Sequence, residues 1–86
     1  MSFDPDTLRK AFSTVLRQRR TDLAMSQELL AEKADVSLRY ISLLERGGRQ
    51  PTISTLAALC SALNVSMSDF TADMEALAAS QAEVTS

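Results

Sequence analysis

The cations of this chain crowd into its middle, and the residues around them define what chemistry it can do. Leu38, Arg39, Ser42, Leu43 and Arg46 fall at helical spacing on one side of a short segment, opposite Ile41 and Leu44. Arg39 has most to offer a nucleic acid, because a guanidinium can donate two hydrogen bonds to guanine O6 and N7 in a major groove. An apolar side chain beside it, such as Leu38 or Leu43, can pack on a thymine methyl group. Leu43 reads equally well as a core or subunit contact. Donors suited to phosphate oxygens surround this segment. Gln27 opens the preceding segment, where free backbone N–H groups at a helix start can hold an anion. Ser37 and Tyr40 can hydrogen-bond phosphates, although Ser37 is also a good N-cap. Arg49, Gln50 and Thr52 follow in a loop.

Other chemistries lack their groups. Histidine is absent and Cys60 is the only cysteine. That excludes a His-based triad, an imidazole base and a His-containing or Cys₄ zinc site. There is no glycine-rich phosphate loop. The carboxylates fall at cap and surface positions and form no metal-binding cluster. No catalytic residue, metal ligand or cofactor site is expected, and the chain does not read as an enzyme. A lone cysteine on an apolar stripe is expected to be a buried structural thiol, with a redox sensor as the alternative. With no apolar run near the length of a membrane span and no leader, the expectation is a soluble, cytoplasmic protein.

The net charge of −2 is unusual for a nucleic-acid partner, but its distribution is uneven. Residues 1–16 are neutral, with Asp4 and Asp6 against Arg9 and Lys10. Between residues 17 and 50, Arg17, Arg19, Arg20, Lys33, Arg39, Arg46 and Arg49 outnumber the carboxylates, leaving +2. Residues 51–86 carry Asp69, Asp73, Glu75 and Glu83 with no cation, leaving −4. One face on phosphate and another turned away fits this polarity. Few neutralised phosphates per subunit also imply weak non-specific binding.

The elements that must position these residues are helical. With 86 residues, 45% of them hydrophobic, and only two glycines and two prolines, the chain reads as an all-α single domain over residues 1–80, with a disordered tail at 81–86. Asp4 and Pro5 start the first helix, whose apolar side is Leu8, Phe12, Val15 and Leu16. Ser26 caps a second, with Leu30, Ala31 and Ala34 inward. Asp35-Val36-Ser37 allows only a tight turn before the third helix, which Gly47-Gly48 ends. Pro51 forbids continuation. A fourth helix carries Ile53, Leu56, Ala57, Cys60 and Leu63 as its stripe and ends at Asn64. Ser66 and Asp69 have capping-box spacing at the start of the fifth, where Phe70, Met74 and Leu77 exceed what a terminal helix needs for itself. They are the candidate dimer interface, the alternative being that they close the subunit's own core.

Two short helices joined by about three residues form the helix-turn-helix pattern. The residues also carry a resemblance. Gln27, Leu30-Ala31, Val36-Ser37, Ile41-Ser42, Glu45-Arg46-Gly47, Pro51, Leu56 and Ala62-Leu63-Asn64-Val65-Ser66 stand in register, so that roughly residues 15–70 are similar to the Cro-like (XRE) helix-turn-helix family of prokaryotic and phage regulators. The resemblance implies a compact five-helix, lambda-repressor-like domain in which helices 2 and 3 form the helix-turn-helix. It implies that Leu38, Arg39, Ser42, Leu43 and Arg46 face bases, and that Arg49, Gln50 and Thr52 run along the phosphates. It also implies a partly buried ion pair between Glu45 and Arg20. The expected function is a transcriptional regulator that binds palindromic double-stranded DNA as a homodimer. Its size suits a restriction–modification controller, a phage repressor or an antitoxin. A toxin partner or an RNA polymerase contact stays open, and a helical protein–protein adaptor on the same scaffold is the rival reading.

Overall fold

The computed structural model describes residues 3–85 as five helices, α1 Pro5–Asp22, α2 Gln27–Ala34, α3 Leu38–Glu45, α4 Ile53–Ala62 and α5 Met67–Thr85. Each of the first four starts on a side-chain cap. The Asp4 carboxylate accepts from Thr7 N–H, the Ser26 hydroxyl from Leu29, Ser37 from Tyr40 and Thr52 from Thr55. Ser66 does the same for Asp69 N–H at 3.0 Å. Such oxygens satisfy N–H groups that have no partner within the helix, and each is worth about 1 kcal/mol over alanine.

The helix ends share one device. In α1 the N–H groups of Ala24 and Met25 turn back to the carbonyls of Thr21 and Arg20. The same pair of bonds closes α2 through Asp35 and Val36, α3 through Gly47 and Gly48, and α4 through Asn64 and Val65. This is the Schellman arrangement, which places one residue in the left-handed region and the next against the core. Ala24, Asp35, Asn64 and Gly47 hold positive φ values of 54°, 58°, 59° and 76°. Met25, Val36 and Val65 then pack on the core as the motif requires.

The core is built where α1 crosses the rest. Phe12, Val15 and Leu16 of α1 meet Leu30, Ala31 and Ala34 of α2, Ile41 and Leu44 of α3, and Leu59, Cys60 and Leu63 around α4. α1 packs along α5 and against α3, while α2 packs on α3 and α4. Burial pushes the Cys60 thiol above its ordinary range, against a smaller opposing effect of Arg19's charge. It is a buried structural side chain.

Several expectations need correction here. Ile53 is 79% exposed and Ala57 is exposed too, whereas Leu59 is fully buried. The inward side of α4 is therefore Leu56, Leu59, Cys60 and Leu63; a stripe counted from Ile53, the first residue of the helix, takes in positions 53 and 57 that face solvent. α4 also stops at Ala62, because Asn64 adopts the left-handed turn. Phe70 is fully buried, its ring 5.7 Å from that of Phe12 at a 49° tilt. It closes the subunit's own core and has no surface left for a dimer partner. Met74 and Leu77 are half-buried against the same core. α5 is drawn to Thr85, into the 81–86 stretch expected as a tail, and Ser86 lies outside the described residues.

Alanine is the least suited of the non-glycine residues at these left-handed positions. Its strain of about 1–2 kcal/mol is offset only in part by glycine's larger unfolded-state entropy, about 0.4–1 kcal/mol. Ala24→Gly is expected to stabilise the fold by about 0.5–1 kcal/mol, and Asp35→Gly by less. Urea midpoints at unchanged m values measure both.

Candidate nucleic-acid interface

The position of α3 is fixed from beneath by one buried ion pair. Glu45, at its last turn, has a side chain only 3% exposed, and Arg20 of α1 reaches it with a side chain 13% exposed. The contact is bidentate, with Arg20 Nε 2.6 Å from Oε2 and Nη2 2.9 Å from Oε1. Arg20 Nη1 also donates to the Met25 carbonyl at 2.8 Å. Gln27 Nε2 donates to Glu45 Oε1 at 3.1 Å. One carboxylate thus ties together the end of α1, the start of α2 and the end of α3. The hydrogen bonding of Arg20 to Glu45 is foremost among the effects that raise the Arg20 pKa still further, against the desolvation that would lower it, so the cation persists at any ordinary pH.

This network uses a side chain expected elsewhere. Gln27 turns inward to Glu45, so its amide is not a free phosphate ligand. What remains at that end of α2 is its second amide hydrogen and the backbone N–H groups of Gln27 and Glu28, which find no partner among the described residues. Neither Gln27's part nor the Met25 carbonyl's was anticipated. A backbone acceptor carries no sequence signal at all, whereas a glutamine one residue past a cap could have been weighed as a network member.

With Ile41, Leu44 and Glu45 buried, the other side of α3 faces outward. Arg39 and Arg46 are exposed, Ser42 and Leu43 are half-buried, and Leu38 is 45% exposed. Leu43 folds back on the loop that follows, since a Cβ at Gly48 would stand 3.5 Å from Leu43 Cδ2. Tyr40 is half-buried with its ring against the core, and its backbone N–H is held at 3.0 Å by the Ser37 hydroxyl. Arg49, Gln50 and Thr52 are exposed in the loop. The Thr52 hydroxyl caps α4 and also meets Thr55 Oγ1 at 3.0 Å. Among the described residues, no carboxylate pairs with Arg39, Arg46 or Arg49, while Arg9, Arg19 and Arg20 are all paired.

The geometry is that of a helix-turn-helix with a cationic, outward second helix. The helix-turn-helix family's sequence profile matches residues 16–70. The chain belongs to the Cro-like (XRE) helix-turn-helix family. Members of this family similar to it are transcriptional regulators rather than enzymes. The transcriptional regulator ClgR of Mycobacterium tuberculosis is 34% identical over 61 residues, which are 71% of this chain and 54% of that protein. The present chain therefore spans about half the length of that relative. The clp gene regulator ClgR of Corynebacterium glutamicum superposes with a TM-score of 0.86 at 36% identity, over 91% of this chain and 83% of that one. The restriction-modification controller protein C.Esp1396I, solved as a tetramer on its natural 35 base-pair operator, superposes with a TM-score of 0.78 at 32% identity, over 83% and 93% of the two chains. Among the described residues, no single helix is long and apolar enough to cross a membrane.

Removing one member of the Arg20–Glu45 pair leaves the other's charge buried. Arg20→Met is expected to cost about 3–5 kcal/mol in urea unfolding. The double variant Arg20→Met with Glu45→Met should lose less than either single change, because it leaves no uncompensated ion.

Proposed function

We propose that this helix-turn-helix regulator binds a palindromic operator in double-stranded DNA as a homodimer, with α3 of each subunit in a major groove. One observation carries the reading. The outward side of a helix clamped to its scaffold by a buried ion pair presents Arg39 and Arg46, which no carboxylate pairs with among the described residues. Cations left unpaired beside paired ones are what a polyanion requires. Arg39 sits in the first turn of α3, where residues of a recognition helix reach base edges, and would read guanine by its two parallel donors. Ser42, Leu43 and Arg46 flank it. Arg49, Gln50 and Thr52 would follow the phosphates, together with Ser37, Tyr40 and the backbone at Gln27. Support also comes from C.Esp1396I, a neighbour that assembles on an operator.

A single short helix reads too few base pairs to select one site, and a two-fold pair one helical turn apart doubles the information. With Phe70 enclosed and Met74 and Leu77 half-buried against the same core, the outward side of α5 presents the exposed Ala72 and Ala76. Small residues let two helices approach closely. Light scattering over a dilution series is expected to give a dimer at micromolar concentration for the parent chain and a monomer for Ala76→Arg. A parent that stays monomeric removes the two-fold reading.

The contact roles separate in gel shifts with the protein's own upstream DNA at several salt concentrations. Arg39→Ala is expected to cost about 1–3 kcal/mol and to relax specificity at one base position. Arg49→Ala should weaken all sequences alike and flatten the salt slope by about one unit. If neither substitution changes binding, the recognition face has been placed wrongly.

A further inference from the structure

Leu38 is the exposed large apolar residue of α3, and nothing in the fold explains it. It is the first residue of the helix, just past the Ser37 cap, and it takes no part in the core or in the partly buried layer around it. Its neighbours inward are fully served: Ile41 and Leu44 fill the core and Val36 covers the turn. On its outward side stands Arg39, a guanidinium with no carboxylate partner among the described residues.

The role of Leu38 rests on the proposed entry of α3 into a major groove. There the first turn of the helix lies against base edges. Leu38 can neither donate nor accept a hydrogen bond. Seated on an amino group or a carbonyl, it would strand that group away from water, which is unfavourable unless the group is paired elsewhere. Only one apolar group stands on a base edge in the major groove, the 5-methyl of a pyrimidine, and thymine is its ordinary bearer. We propose that Leu38 is a specificity-determining residue that recognises the 5-methyl group of a pyrimidine in each operator half-site, next to the guanine read by Arg39. The ligand chemistry is therefore a methylated pyrimidine beside guanine. Cytosine methylated at C5 presents the same methyl as thymine, so binding would respond to DNA methylation at a site where cytosine occupies that position. Leu43 contributes less, because it is half-buried and its tip already rests beside Gly48.

The test uses the intact chain and a synthetic operator obtained by random-sequence selection with the parent protein. Each thymine is replaced in turn by uracil, which removes the methyl and leaves every hydrogen-bonding group in place. Burying one methyl-sized group predicts a loss of about fourfold for one half-site and about fifteenfold when both are changed. Leu38→Ala should bind the parent operator more weakly and should bind thymine and uracil versions equally at that position. Leu38→Met, which keeps apolar bulk, should retain most of the discrimination. Circular dichroism spectra matching the parent's exclude a folding defect as the cause. Specific operator binding in which no uracil replacement matters by more than twofold overturns this proposal alone, as does discrimination that survives in Leu38→Ala. Failure to select any operator overturns it together with the reading it rests on.

Discussion

Everything about the recognition face depends on the carboxylate of Glu45. It sits at the last turn of α3 with almost no exposure and receives Arg20 from α1 and Gln27 from α2. A buried ion pair is a poor source of net stability, since the desolvation of both ions offsets most of their attraction. Its value here is directional. Two parallel hydrogen bonds from a planar guanidinium fix the carboxylate in rotation as well as in position. Burial of Ile41 and Leu44 sets which side of α3 faces the core. The bidentate pair adds a directional tie at the last turn, so the side opposite Glu45 points outward in a defined way.

A second arginine beside the first extends the same logic. Arg19, adjacent to Arg20 on the last turn of α1, donates to Asp73 of α5 through Nε at 3.0 Å and Nη2 at 2.6 Å. Both groups are substantially exposed, so the contact adds little to stability. It does register α1 against α5. The end of α1 therefore holds the recognition helix with one residue and the helix proposed for dimer contact with the next. Two-fold reading of DNA needs a fixed distance between recognition helices. This arrangement links the elements on which that distance depends through one helical turn.

Helix boundaries were legible because their signals are local. Ser26, Ser37, Ser66 and the Asp4-Pro5 pair each mark a start that a side-chain oxygen enforces within three residues. The ends were less legible: a left-handed residue is signalled by glycine, and only Gly47 among the four positive-φ helix ends is one. Ala24 gives no hint of its conformation, because the hydrogen bonds of the Schellman turn and the burial of Met25 override its preference. The stripe of α4 was misread at Ile53 since periodicity counts apolar residues without knowing where the neighbouring helices stop. Phe70 was ambiguous for a related reason. An apolar residue on a terminal helix has the same pattern whether it meets Phe12 or a second subunit, and only three-dimensional packing separates the two. The Glu45 network came from family resemblance, while Gln27's place in it required geometry.

The acidic total, which weighed against a nucleic-acid partner, has a physical explanation in how the charges are distributed. Where the fold needs a cation, it supplies a carboxylate: Asp6 to Arg9, Asp73 to Arg19, Glu45 to Arg20. At the proposed interface, Arg39, Arg46 and Arg49 stand without a carboxylate partner among the described residues. Two further acids of the C-terminal part, Asp69 and Glu75, are exposed on α5 and add to the negative total. At physiological ionic strength the field of such exposed charges fades within about 8 Å. Net charge then governs how strongly the protein is drawn to DNA in general, and local pairing governs where it holds. A protein of this kind gains little from non-specific phosphate attraction. In the proposed dimer, affinity would come from correct base contacts made by both subunits.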